Sequence, residues 1–303
     1  MTPPKKIYGL IGYPVKHSFS PLMHNLWFRR LKERGVIDYD AEYKLFEVKP
    51  EELEDFLLNR KDVIGFNITL PHKVRAKEIL AEKFPVPKNR ILRVTDHANI
   101  TGAVNTVKRE ENNLIYANTD LLGFIRSLEN DLRFERKHKK VLIIGCGGGG
   151  RAVVLGVNLK PEDVTNIYIY DSNGEAVNSA QECFSKIPYL SGKFEFISQE
   201  QIPEFIKECD LLVNATPVGM NEGDGSPIDK NLLHGDLFVY DFVYNRNTQL
   251  VKDAKERCKS AVGGLGMLLY QGKEAFELWT GKNLRKEEIE EAKSTLEKAL
   301  GQK

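Results

Sequence analysis

One segment, VLIIGCGGGGRA at residues 141–152, constrains this chain more than any other. Val141, Leu142, Ile143 and Ile144 make a short apolar run of strand length. Gly145, Cys146, Gly147, Gly148, Gly149 and Gly150 follow, and then a helical pattern begins. A strand running through G-x-G-x-x-G into a helix is the turn on which a parallel α/β sheet holds a pyrophosphate. Gly145 permits the tight turn and Gly147 lets backbone amides approach the phosphates. The helix from about Gly148 aims its partly positive amino end at them. Gly149 and Gly150 are expected to loosen that first helical turn, because glycine costs roughly 0.5–1 kcal/mol in a helix.

The strand after this helix is predicted to end at Asp171, 21 residues beyond Gly150, where an acidic side chain accepts hydrogen bonds from a ribose 2′-hydroxyl. Residues 170–181 contain no Lys or Arg to neutralise a 2′-phosphate. The charge pattern therefore predicts NAD in preference to NADP.

Short apolar runs alternate with helical patterns on both sides of the glycine segment, which is the signature of βαβ units. Strands are predicted at residues 6–12, 41–48, 63–69, 102–107 and 114–118, then at 141–144, 166–170, 193–198, 211–214 and 237–241. Ser20 before Pro21 reads as the N-cap of a helix reaching to about residue 34. Near the end, Ile289, Ala292, Leu296, Ala299 and Leu300 share one face of a helix that docks on its own domain. A chain of 303 residues has the length of about two domains.

Lys and Arg number 44 against 43 Asp and Glu, a formal charge of +1. Nucleic acids and anionic membranes are held by accumulated positive charge, so the balance points to a small-molecule ligand. Cys146, Cys183, Cys209 and Cys258 stand far apart, and His17 and His24 lie seven residues apart. Neither pattern predicts a disulfide framework or a metal site. The apolar run at residues 7–15 is interrupted by Gly9, Gly12 and Pro14 and lacks a cleavage site, so it reads as a strand and not as a leader. Residues 141–159 are broken by glycines and Arg151 and do not make a membrane span. A cytoplasmic protein is expected.

The strings GYPVKHSFSP, GFNITLPHK, TGAVNT and NTD, then the glycine turn, NATPVGM, YDFVYN and GGLGMLLYQG, resemble the shikimate/quinate dehydrogenase family in content, order and spacing. The resemblance runs from about Tyr8 to Trp279. It implies an α/β fold of two domains: a substrate domain of residues 1–122 completed by 266–303, and a Rossmann dinucleotide-binding domain of residues 123–265. It further implies reversible oxidation of the C3 hydroxyl of shikimate, of quinate, or of both, by a monomer or homodimer of the shikimate pathway or of quinate metabolism.

By the same resemblance, Ser18 and Ser20 hold the substrate carboxylate, Thr69, Asn105 and Gln271 its ring hydroxyls, and Tyr244 makes a further contact. Lys73 and Asp120 match the catalytic pair. As a ketone is reduced, negative charge gathers on its oxygen, and a cationic proton donor both stabilises that charge and completes the alcohol. Thr216, Met220, Phe242 and Gly264 match positions beside the nicotinamide. Two departures stand out: Leu121 follows Asp120 where glycine is frequent, and Asp171, Ser172 and Asn173 replace the Asn-Arg-Thr-like NADP signature. The second reinforces the NAD expectation. A methylenetetrahydrofolate dehydrogenase-like enzyme and a non-catalytic sensor are the alternatives, and the presence of both Lys73 and Asp120 argues against the sensor.

Overall fold

The computed structural model describes residues 5–85, 93–111, 113–160 and 162–301. Residues 1–4, 302 and 303, the outer ends of the expected substrate domain, lie outside the described residues. In chain order the strands are β1 (Lys6–Gly12), β2 (Ala41–Glu47), β3 (Val63–Ile68), β4 (Thr106–Glu110), β5 (Asn113–Ala117), β6 (Lys139–Ile144), β7 (Val164–Tyr170), β8 (Phe194–Phe196), β9 (Leu211–Asn214), β10 (Phe238–Asp241) and β11 (Ser260–Gly263). The helices are α1 (Ser20–Glu33), α2 (Leu53–Asn59), α3 (Lys73–Lys83), α4 (Arg93–Thr101), α5 (Asp120–Asn130), α6 (Gly148–Val157), α7 (Gly174–Ser185), α8 (Ile202–Phe205), α9 (Gln249–Arg257), α10 (Leu265–Thr280) and α11 (Lys286–Gly301). The chain divides into two compact units, Met1–Thr119 with Gln271–Gln302, and Asp120–Tyr270.

The first unit is built on a mixed sheet in the order β2-β1-β3-β4-β5. β1 runs parallel to β2 and β3, and β4 is antiparallel to both of its neighbours. Helical crossovers suit the parallel pairs, and the short β4–β5 connection permits only an antiparallel one. One face buries Ile11, Phe56, Phe66, Leu80, Val107 and Tyr116. On the other, the Tyr8 ring meets Phe28 of α1 and Trp279 of α10, with centroids 4.6 and 5.5 Å away. Gly65 has no side chain because the Trp279 ring lies 2.8 Å from where its Cβ would stand. Trp27 is fully buried and gives its Nε1–H to the Glu288 carbonyl, which fastens α11 to α1.

Ser20 is not the cap of α1. Phe19 occupies the N-cap position without a side-chain bond, and Ser20 is the first helical residue. The Ser18 hydroxyl instead accepts the Ser20 N–H at 3.2 Å. In an S-x-S sequence the earlier hydroxyl closes locally onto the amide two residues on. The strand expected at residues 102–107 starts later, at Thr106: Gly102 has φ +63°, and the Val104 N–H is given to the Lys73 carbonyl.

The second unit carries six parallel strands in the order β11-β10-β9-β6-β7-β8. From β6 the chain winds outward to β7 and β8, then returns to the other side of β6 and winds outward again through β9, β10 and β11. This is the doubly wound Rossmann order, in which ligands bind outside the strands' carboxyl ends where the winding reverses, here between β6 and β9. Val141, Leu142, Ile143, Leu211, Leu212 and Val213 are wholly buried, as central strands covered on both faces require. Among the described residues no helix is long and apolar enough to cross a membrane.

Candidate active site

The topology of the first unit gathers its polar motifs at one end of the sheet. β1 and β3 are parallel, so Ser18, Ser20, Thr69 and Lys73 follow their carboxyl ends on the same side. Antiparallel β4 begins and β5 finishes at that end, which adds Asn105 and Thr119. The loops after β1 and β3 are stitched together: the Thr69 N–H binds the Ile11 carbonyl and the Tyr13 N–H the Leu70 carbonyl, each at 2.9 Å. Gly12 permits this approach, since a Cβ there would overlap the Thr69 methyl group and come within 2.9 Å of the Leu70 oxygen. The Ser18 hydroxyl also donates to the Ser20 hydroxyl at 3.1 Å.

Asn105 and Gln271 are buried and joined. Asn105 Nδ2 donates to Thr119 Oγ1 at 2.9 Å and to Gln271 Oε1 at 3.3 Å, and the Thr119 hydroxyl reaches the same Gln271 oxygen at 3.4 Å. Two of the residues expected to grip ring hydroxyls, Asn105 and Gln271, thus share one cluster of neutral amides and hydroxyls, and Thr119 belongs to it although sequence reasoning missed it. Its place between Asn118 and Asp120 in NTD was the available signal.

Lys73 is the first residue of α3, after His72, whose buried ring bonds the Val48 carbonyl at 2.7 Å. The amino end of a helix disfavours a cation, and no acidic residue lies in the first turn of α3. Asp120 opens α5, where the helix end favours a carboxylate, and it is buried and counts with the second unit.

In the second unit every strand is parallel, so the carboxyl ends of β6, β7, β9, β10 and β11 present Gly145, Asp171, Thr216, Phe242 and Gly264 along one edge of the sheet. Gly145 takes φ +99°, and a Cβ on it would stand 2.8 Å from the Thr216 methyl carbon. A Cβ on Gly150 would overlap the Gly145 carbonyl oxygen, and one on Gly149 would press on the Phe242 ring at 3.1 Å. At Gly150 the expected loosening is therefore replaced by close packing that demands glycine, and at Gly149 a side chain would require the Phe242 ring to shift. Gly264 is required in the same way by the Phe242 backbone. Met220 is exposed beyond β9, and Tyr244 lies half-buried in the loop after β10.

The described residues fit a dinucleotide. α6 starts at Gly148 with no side chain capping its first amides, and Gly147 has nothing within 4 Å of where a Cβ would be. Open backbone donors at a helix amino end suit a pyrophosphate. Cys146 is a buried thiol that burial, and then the Asp171 charge, pushes up to about 12, so it stays protonated and is no nucleophile. Among the described residues no cluster of His, Cys, Asp or Glu could hold a metal ion.

Sequence reasoning also missed what stands behind this edge. Asp241, wholly buried at the end of β10, accepts from Asn214 Nδ2 at 2.9 Å, the Val243 N–H at 3.0 Å and the Thr248 hydroxyl at 2.6 Å. Asn214 Oδ1 in turn accepts the Thr216 N–H and hydroxyl, at 3.1 and 2.6 Å. One carboxylate thus ties together the loops after β9 and β10. The signal lay in NATP and YDF, each of which ends an apolar run on a polar residue.

The glycine turn at the switch point of a doubly wound sheet, with a separate unit presenting clustered hydroxyls, amides and a placed lysine, defines the class of dinucleotide-dependent dehydrogenases. Comparison narrows it. Residues 10–107 match the shikimate dehydrogenase substrate binding domain and residues 264–292 the shikimate 5′-dehydrogenase C-terminal domain. A relative from Methanopyrus kandleri, shikimate dehydrogenase (NADP(+)), is 35% identical over 94% of both chains. A solved shikimate dehydrogenase in complex with NADP+ superposes with TM-score 0.79 at 33% identity, covering 98% of this chain and 96% of that one. Another, from Listeria monocytogenes in complex with shikimate and NAD, gives 0.73 at 30% identity over 95% and 96%. The chain belongs to the shikimate dehydrogenase family.

These relatives overturn the NAD expectation. The Methanopyrus enzyme and others like it, from Methanobrevibacter smithii for example, are named for NADP(+), and NADP+ occupies the first of the two solved neighbours. NAD bound in the second crystal is a ligand and does not establish preference. The structure shows why Asp171 misled. One of its carboxylate oxygens accepts the Cys146 N–H at 2.7 Å and the other the Asn173 N–H at 2.9 Å. Its acidity braces the glycine turn against the loop after β7, so its position in the sequence does not report an acceptor reserved for a ribose.

Proposed function

We propose that the chain catalyses the NADP-dependent, reversible oxidation of the C3 hydroxyl of shikimate to 3-dehydroshikimate. The observation that carries the reading is the gathering of Ser18, Ser20, Thr69, Lys73, Asn105 and Gln271 within one unit, in a family whose relatives span the whole chain. In this reading the hydroxyls of Ser18 and Ser20 hold the carboxylate, and Thr69, Asn105 and Gln271 pair with the ring hydroxyls. Each polar group left unpaired in a buried site costs roughly 1–3 kcal/mol, and this is how neutral donors select a polyol. Tyr244 is the remaining substrate ligand in this reading.

Lys73 Nζ takes the C3 hydroxyl proton in oxidation and returns it to the carbonyl oxygen in reduction, with Asp120 orienting it. Gly145, Gly147, Gly148, Gly149 and Gly150 would hold NADP by its pyrophosphate, with Asp171 bracing the turn and Thr216, Met220, Phe242 and Gly264 beside the nicotinamide. Bound NADP supplies the carbon that accepts or gives the hydride. The test is initial-rate formation of NADPH at 340 nm with shikimate, and separately with quinate, which has the same carboxylate and secondary hydroxyls plus a C1 hydroxyl. Turnover of shikimate is expected; a well-folded protein inert towards it with NADP would refute the reading, and faster turnover of quinate would reassign the substrate.

A further inference from the structure

Behind Asn105 runs a chain of side-chain hydrogen bonds whose direction two backbone groups dictate. The Asn67 amide faces the Asn105 backbone carbonyl at 3.2 Å. A carbonyl can only accept, so the facing atom is Nδ2, which also donates to Thr106 Oγ1 at 3.0 Å. That orientation turns Asn67 Oδ1 the other way, where it accepts the Tyr43 hydroxyl at 2.8 Å. The side chain of Asn105 is set likewise. The Thr119 backbone N–H points at it from 2.8 Å and can only donate, so the atom it meets is Oδ1. The Thr106 hydroxyl, already accepting from Asn67, gives its own hydrogen to the same oxygen at 2.9 Å. Asn105 Oδ1 is thereby committed to the protein, and Nδ2 is the end turned towards Thr119 Oγ1 and Gln271 Oε1.

We propose that Tyr43 and Asn67 are positioning residues for the substrate site: through Thr106 they lock the Asn105 amide so that its Nδ2 donor, and not its oxygen, faces the substrate, a ring hydroxyl taking the place of Gln271 Oε1, the longer of its two acceptors at 3.3 Å. All the groups involved are buried, where a polar chain has one satisfied arrangement and each alternative strands a donor or an acceptor. Tyr43 is itself held in place: the His24 ring stacks on it at 4.3 Å, and Asn25 brackets its backbone, accepting its N–H at 2.8 Å and donating to its carbonyl at 3.0 Å. The Tyr43–Asn67 bond crosses β1, which lies between β2 and β3, so the set cannot be a local turn. The ring hydroxyl that meets Asn105 is then an acceptor in that contact and gives its hydrogen elsewhere.

The inference rests on Asn105 being a substrate ligand, and the experiment separates the two claims. Shikimate KM, NADP KM, kcat and melting temperature are measured for the wild type and for Asn105→Ala, Asn67→Ala, Tyr43→Phe and the Asn67→Ala/Tyr43→Phe double variant. Asn67→Ala is expected to raise shikimate KM about tenfold with NADP KM unchanged, and Tyr43→Phe to raise it about threefold. The double variant should be no worse than Asn67→Ala alone, because both substitutions cut one chain. A lowered melting temperature with unchanged shikimate KM in both single variants, or fully additive effects in the double, would overturn the proposal. If Asn67→Ala fails to fold, Tyr43→Phe, which removes a single oxygen, decides by its KM alone. Unchanged KM in Asn105→Ala would remove the ligand reading, and this inference with it.

Discussion

Gly150→Ala tests whether the glycine turn is held by packing or by permissive conformation. Alanine in a helix gains about 1 kcal/mol over glycine from propensity, so a loose first turn of α6 would be stabilised by the change. The structure requires the opposite. The new methyl carbon would stand 2.8 Å from the Gly145 carbonyl carbon, whereas carbons make their best contact at about 3.5–4.0 Å, leaving a shortfall of about 0.7 Å. Gly145 cannot yield freely, since its N–H is held by the Tyr170 carbonyl and the next N–H by Asp171, each at 2.7 Å. Overpacking of this kind costs about 1–3 kcal/mol, and losing one of those hydrogen bonds adds about 1. The net is a destabilisation of about 2 kcal/mol, or a fall of ~4–8 °C in melting temperature for a unit of this size.

Gly147→Ala is the matched control. Gly147 has φ −63° and ψ −170°, which alanine accepts, and nothing within 4 Å of where the Cβ would be. It should melt within about 2 °C of wild type yet bind NADP more weakly, because its methyl group lies where phosphates would approach the amides. Thermal melts by circular dichroism and NADPH fluorescence titrations read the two effects separately. Gly150→Ala melting at or above the wild-type temperature would refute the packing argument, and Gly147→Ala binding NADP unchanged would refute the assignment of that space to the pyrophosphate.

Lys73→Ala should lower kcat for shikimate by about 10²–10⁴, the usual worth of a general acid–base group. Retention of kcat in steady-state assays by a variant that still melts cooperatively would contradict the assigned role. His24 is fully buried among aromatic rings, which lowers its pKa to about 3. Between about pH 6.5 and 3 the unfolded chain binds the proton and the folded one does not, so this group's contribution is lost as pH falls, by about 1.4 kcal/mol per pH unit. His24→Phe, which keeps an aromatic ring on Tyr43, should flatten that limb in urea melts run from pH 4 to 8. Asp241 has the opposite sign: burial raises it to about 6 despite bonds from Thr248, Val243 and Asn214. Its contribution is present below about pH 4 and declines as pH rises to about 6, so Asp241→Asn should remove a stability loss on the order of 3 kcal/mol over that window.

What was legible in the sequence was whatever local order dictates. The glycine turn could be read because a strand, a G-x-G-x-x-G turn and a helix are consecutive, and their meaning lies in that succession. Lys73 and Asp120 stand next to recognisable punctuation, and the structure places each at the first position of a helix. Asp171 shows where such reading stops. An acid at the end of the second Rossmann strand can serve a ribose, backbone amides or both, and the bonds to Cys146 and Asn173 show that here it serves the amides. Ser20 failed as a cap because it is already the first helical residue, one place after Phe19 at the N-cap.

Tyr43 and Asn67 were illegible for a different reason. Alternation along a strand says which residues share a face, but not that β1 would be inserted between β2 and β3, nor that a tyrosine hydroxyl would reach over it. Their polarity was visible, an asparagine in the apolar run VIGFNI and a tyrosine in AEYKLFE, and an unpaired asparagine buried there would cost roughly 1–3 kcal/mol. A polar residue inside a strand that is otherwise core therefore implies a partner. Naming the partner takes the order of the strands in space, and so the residues that aim Asn105 could be found only once the sheet was assembled.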